Sequence, residues 1–139
     1  MTDMKKWICL CVIACMTLIG LAGCQKKGSG DEARNEVEFT VVAPGEIPSE
    51  LSTEIEKNKQ GEIRMAYIDG GNMYLIRGYG EQKTGGYSIS VVECTEDEET
   101  VYLDTRLLGP ANEEQISKEP SYPYIVLKIE AREKEVKIQ

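Results

Sequence analysis

The chain has 139 residues, which is room for one small domain with some extra and not for two large ones. Its 24 acidic and 16 basic residues give a net charge of −8, which argues against nucleic-acid binding, since that depends on Lys and Arg neutralising phosphates. Histidine is absent from the sequence, which excludes Ser-His-Asp and Cys-His nucleophile arrangements, His-ligated zinc and proton transfer by imidazole.

Lys5 and Lys6 precede an apolar run from Trp7 to Leu21. The run is shorter than the roughly 20 residues that a transmembrane helix needs, and it reads as a secretory signal. Its end, Leu21-Ala22-Gly23-Cys24, resembles the bacterial lipoprotein signal. That resemblance implies cleavage before Cys24, diacylglycerol on the Cys24 thiol and an amide-linked acyl chain such as palmitate on the new amine. Residues 1–23 are then a signal peptide. Cys9, Cys11 and Cys15 leave with it, so Cys94 is the one free thiol that remains and no intramolecular disulfide can form. Such a domain depends on its core, and Cys94 reads as a small buried hydrophobe. Residues 24–36 lack apolar periodicity and centre on Gly28-Ser29-Gly30, so they read as a flexible tether. Residues 37–139 form a single globular domain.

Within that domain, Val37-Glu38-Phe39-Thr40-Val41-Val42 is β-branched and predicts one strand. Pro44, Gly45 and Pro48 break the chain. Pro48 suits the first turn of a helix, and Leu51 and Ile55, spaced i, i+4, share a thin apolar stripe on a helix that runs to about Gln60, with Gly61 as the stop. Period two then takes over. Ile63, Met65 and Tyr67 alternate with Arg64, Ala66 and Ile68, Asp69-Gly70-Gly71-Asn72 makes a hairpin turn, and Met73–Arg77 returns. Tyr87–Val92 is the next strand, the acidic stretch Thr95–Glu99 turns the chain, and Val101, Leu103, Thr105 and Leu107 share one face of the strand that follows. A loop spans Gly109 to Pro123, followed by a strand at Tyr124–Glu130 and a short last strand at Glu135–Ile138. Consecutive strands with short links predict a mainly β (α+β) fold: an antiparallel meander sheet, sandwich- or barrel-like, with one N-terminal helix. Ile89, Val91, Leu103, Ile125, Leu127 and Ile129 are its expected core face.

Little in the chain points to bond-making chemistry. Glu96–Glu99 lacks the alternate spacing and the glycine of a calcium loop and reads as a solvated hairpin tip that blocks edge pairing. Gly78-Tyr79-Gly80 lacks the Lys-Ser/Thr ending of a phosphate loop. No catalytic residue, metal or cofactor is expected. The segment Gly78–Ile89 stands apart, with glycines and two tyrosines around one strand connection, and Pro120-Ser121-Tyr122-Pro123-Tyr124 lies on a second. Read plainly, this is a wide hairpin loop closing the end of the core. Alternatively it is a recognition surface, in which Tyr79, Thr84, Gly85, Gly86, Tyr87 and Tyr122 gather at one end of the sheet and bind a partner. That end is also expected to carry less charge than the rest.

Thr84-Gly85-Gly86-Tyr87-Ser88-Ile89, then Gly109-Pro110, then Ser121-Tyr122-Pro123-Tyr124-Ile125-Val126 resembles the PrcB-like family, the C-terminal domain of protease complex subunit PrcB. The resemblance covers about Glu62 to Ile138. It implies a non-catalytic lipoprotein partner of a surface-associated protease complex, so the expected partner is a protein, by resemblance a secreted protease, and the expected location is extracytoplasmic, lipid-anchored to the cell membrane. Thr84-Gly85-Gly86-Tyr87 is also similar, over those few residues, to the wedge loop of chagasin-type cysteine-protease inhibitors. A loop-wedge inhibitor is therefore the alternative reading, and a structural envelope lipoprotein that binds wall material is the third.

Overall fold

In the computed structural model the described residues are 33–139, so the expected signal peptide and Cys24 lie outside them, as does most of the expected tether 24–36, whose last two residues, Asn35 and Glu36, are paired as a strand. The order along the chain is β1 (Asn35–Glu36), β2 (Thr40–Val41), a 3-10 turn at Pro44–Glu46, α1 (Ser49–Asn58), β3 (Glu62–Asp69), β4 (Asn72–Tyr79), β5 (Ser88–Glu96), β6 (Thr100–Leu108), a 3-10 turn at Glu113–Gln115, β7 (Tyr124–Glu130) and β8 (Glu135–Ile138). The mainly β class with one N-terminal helix holds. The strands form two four-stranded sheets, ordered β1-β5-β6-β8 and β2-β7-β4-β3. The result is a sandwich and not a closed barrel.

Two hairpins are built as the pattern predicts. Asp69 faces Asn72 across Gly70-Gly71, and Gly70 has a φ of +61°, a left-handed conformation that costs glycine least. The acidic stretch turns between β5 and β6, but it is better organised than a solvated tip. Asp97 Oδ1 accepts from the backbone N–H groups of Glu99 and Thr100, and the Tyr102 hydroxyl donates to Asp97 Oδ2. Glu96 pairs with Arg132 at 2.6 Å and Lys134 at 3.0 Å.

Where the chain leaves the meander, it changes sheet. β4 and β5 are consecutive yet lie in different sheets, and so do β6 and β7. The last strand, β8, runs parallel to β6, with Val101 opposite Val136 and Leu103 opposite Ile138. The predicted strand Val37–Val42 is two short strands. β1 pairs with β5, and the Val37 N–H continues that ladder to the Cys94 carbonyl. β2 pairs with β7, and the Val42 N–H reaches the Val126 carbonyl. Both valines are buried, in different cores. In one straight strand, residues five apart point to opposite faces; crossing between the sheets lets each valine find its own apolar layer.

The first core lies between the sheets and holds Val37, Met73, Leu75, Cys94, Val101, Leu103, Leu127 and Ile129. Val91 and Ile125 pack against it partly buried, and Ile89 is half-buried. The second lies between the β2-β7-β4-β3 sheet and α1, where Leu51 and Ile55 meet Ile63, Tyr74, Ile76 and Val126. With both faces of β4 covered, every residue from Met73 to Gly78 is buried, as a strand between two layers requires. β5 is irregular. The register slips between Val91 and Glu93, so Val92 is an extra, exposed residue and Cys94 takes the inward position that strict alternation assigns to Glu93. Burial pushes the Cys94 thiol pKa up, as befits a packing residue.

Candidate protein-binding site at the loop end

The links β4–β5 and β6–β7 come from opposite sheets and meet at one end of the sandwich. Gln82 and Ser121 exchange backbone hydrogen bonds of 2.8 and 3.0 Å, forming a one-residue antiparallel bridge. The Gly85 N–H donates to the Ser117 carbonyl at 3.1 Å, and the Ser121 hydroxyl donates to the Thr84 carbonyl at 2.6 Å. The Tyr79 N–H donates to the Pro123 carbonyl at 3.0 Å. The two loops therefore fasten each other largely through main-chain groups.

The glycines make this closure possible. Gly80 sits at a φ of +74°, and a Cβ there would come 3.1 Å from the Gln60 carbonyl oxygen, so both backbone conformation and a tight main-chain contact disfavour a side chain. A Cβ on Gly85 would lie 2.8 Å from Cβ of Ser117, closer than nonbonded carbons pack. Gly86 has a φ of +87°.

The six sequence-predicted residues share this end but not one surface. Thr84, Gly85 and Gly86 form the rim, and Tyr87 lies beside Gly109 at the start of β5. Tyr122 turns to the helix side, where the Lys59 ammonium sits 5.1 Å from its ring centre. Tyr79 turns inward. Its hydroxyl lies 2.6 Å from Thr105 Oγ1, and the Arg77 guanidinium stacks 4.0 Å from its ring centre. The two loops carry Glu81, Lys83, Glu113, Glu114, Lys118 and Glu119, all exposed. Loops that use main-chain groups for their mutual contacts leave their charged side chains to water.

Arg77 is the residue that the sequence reading missed. It is 4% exposed, on the sandwich face of β4. Its Nε donates to the main-chain oxygen of Gln139 at 3.2 Å, a terminal nitrogen donates to the Gly78 carbonyl, and Glu62 lies 3.6 Å away. Thr105 Oγ1 also donates to the Gln139 oxygen, at 3.4 Å. This polar plug closes the inter-sheet core beneath the loops, and the Tyr79 ring covers it. A signal was there: a lone arginine directly after the apolar run Met73–Ile76 must be paired if that run is buried.

Residues 73–130 match the family model described as PrcB C-terminal. The match runs from the second residue of β4 through the last of β7 and takes in both loops, so the recognised family signature is the part of the chain that builds this end. β3, α1 and β8 lie outside it. No curated protein and no solved structure matches the chain.

Proposed function

We propose that this protein is a membrane-anchored, extracytoplasmic lipoprotein that acts as a non-catalytic protein-binding module, an accessory or stabilising subunit of a secreted protease complex. The observation that carries the reading is the PrcB C-terminal match over the two fastened loops. A rim held by backbone bonds and glycine contacts presents Thr84, with Tyr87 beside it, with little entropy left to lose on binding, which is what preorganisation contributes to affinity. Cys24 would carry the anchor, and the tether that begins there would hold the domain clear of the membrane.

The test is affinity capture of the lipidated protein from its own membrane, with identification of what comes with it. A co-purifying protease that stays active supports the accessory reading. A protease whose activity is lost, and returns when Thr84 and Tyr87 are changed, indicates an inhibitor instead. Recovery of wall polymer and no protein refutes both. Cys24→Ala in the same cells should give an uncleaved or mislocalised precursor; normal processing of that variant would remove the anchor from the proposal.

A further inference from the structure

The sandwich has four outer edges among the described residues, and three are blunted. β1 and β2 are two residues each, and the strand behind β1 carries a bulge at Val92. β8 has four residues. β3 differs: eight residues, in unbroken register with β4, without proline, and with no strand on its outer side.

The direction of its free hydrogen-bonding groups follows from the ladder. Tyr79 donates toward β7, and successive residues of a strand point their N–H and C=O to alternate sides. Even-numbered β4 residues therefore face β3, where they meet odd-numbered β3 residues. The N–H and C=O groups of Glu62, Arg64, Ala66 and Ile68 consequently point outward. All four residues are exposed, and Ile68, at 58%, is the most exposed large hydrophobic side chain among the described residues.

We infer that the β3 edge is an interface that pairs antiparallel with β3 of a second copy of this chain, extending the sheet across a two-fold axis that passes through Met65 or Ala66. The segment itself selects this occupant. With the axis on Ala66, Arg64 falls opposite Ile68 of the mate, Met65 opposite Tyr67, Ala66 opposite Ala66 and Glu62 opposite Gly70. With the axis on Met65, Arg64 falls opposite Ala66 and Glu62 opposite Ile68. In both registers no like charges face each other, which is the condition for cross-strand stability. The axis on Arg64 would set arginine against arginine. In an acidic molecule, the uncharged stretch Met65–Ile68 is where two copies meet without repulsion, and the arginine stem can cover the exposed isoleucine in the first register. Isologous pairing of this kind closes at two copies. It lies on a different surface from the loop end, so the accessory-subunit reading and this one stand or fall separately.

The test is cysteine cross-linking of the full-length chain in the membranes of expressing cells. Ala66→Cys is at an exposed position that leaves the ladder to β4 intact. Glu98→Cys, on the exposed hairpin tip, controls for random collision. In the paired edge the two residue-66 side chains are directly opposite or diagonal neighbours two residues apart along the strand, roughly 5–8 Å apart. A short bismaleimide should yield a covalent homodimer from Ala66→Cys and none from Glu98→Cys or the unsubstituted chain. No dimer from Ala66→Cys, equal dimer from Glu98→Cys, or an adduct of Ala66→Cys with a different protein would each overturn the inference.

Discussion

Tyr79 separates two meanings that the loop end can have, structural closure and partner contact. Tyr79→Phe removes only the hydroxyl that meets Thr105 Oγ1 at 2.6 Å. Thr105 keeps the Gln139 oxygen as a partner, so the cost should be about 0.5–1.5 kcal/mol. Tyr79→Ala also removes the ring that covers Arg77. The lost cation–π contact, about 0.5–2 kcal/mol, and the void over a buried charge bring the total to about 3–5 kcal/mol. Thr84 contributes its main-chain carbonyl to the clasp and not its hydroxyl, so Thr84→Ala should stay within about 0.5 kcal/mol. Urea titration followed by far-ultraviolet circular dichroism gives these differences, provided the slopes agree. The expected order places Tyr79→Ala far below Tyr79→Phe, and Tyr79→Phe slightly below wild type, with Thr84→Ala indistinguishable from wild type. Equal loss for Tyr79→Ala and Thr84→Ala, or no loss for Tyr79→Ala, would refute the assignment of Tyr79 to the polar plug. Partner capture that falls with Thr84→Ala at unchanged stability would place the contact on the rim.

Leu127 is fully buried between the sheets, so Leu127→Ala should cost about 2–5 kcal/mol and lower the melting temperature clearly, whereas Glu98→Ala should leave it unchanged; calorimetry compares the two. The Arg132 guanidinium, hydrogen-bonded to Glu96, and then Lys134 hold the Glu96 carboxyl below its ordinary 4.5. A carboxyl lowered in the folded state adds stability that is full above the unfolded value and is lost as pH falls through the folded one. Glu96→Gln should therefore lower the urea midpoint at pH 7 and converge with wild type in acid below both values; a gap that persists there would refute the linkage. Gly85→Ala pushes a methyl against Ser117 and should loosen the loop bridge, seen as faster amide exchange at Gln82 and Ser121 with the core amides unchanged.

What the sequence determined is what depends on neighbours along the chain. The i, i+4 pair Leu51 and Ile55 predicted the helix and its buried face, and both residues are buried. The turn Asp69–Asn72 predicted a hairpin with its register, because two glycines leave the flanking residues one way to pair. Alternation also assigned Leu103, Leu127 and Ile129 to a core. The candidate loops were legible from their glycines, tyrosines and prolines, and the family match covers both.

Tertiary structure decided which strand lies beside which, since alternation says which residues share a face and is silent about the sheet that face belongs to. The parallel docking of β8 on β6 and the split of Val37–Val42 between two sheets arise from contacts between residues far apart in sequence. The same holds inside the loop end. Tyr79 and Tyr122 read alike as aromatic loop residues, but one covers Arg77 and the other faces Lys59. Their separation follows from the strand ends that bear them. Tyr79 is in register with the sandwich face of β4, and Tyr122 precedes β7 on the helix side. A side chain's direction at the end of a strand is set by the ladder behind it, and that ladder exists only once the sheet has formed.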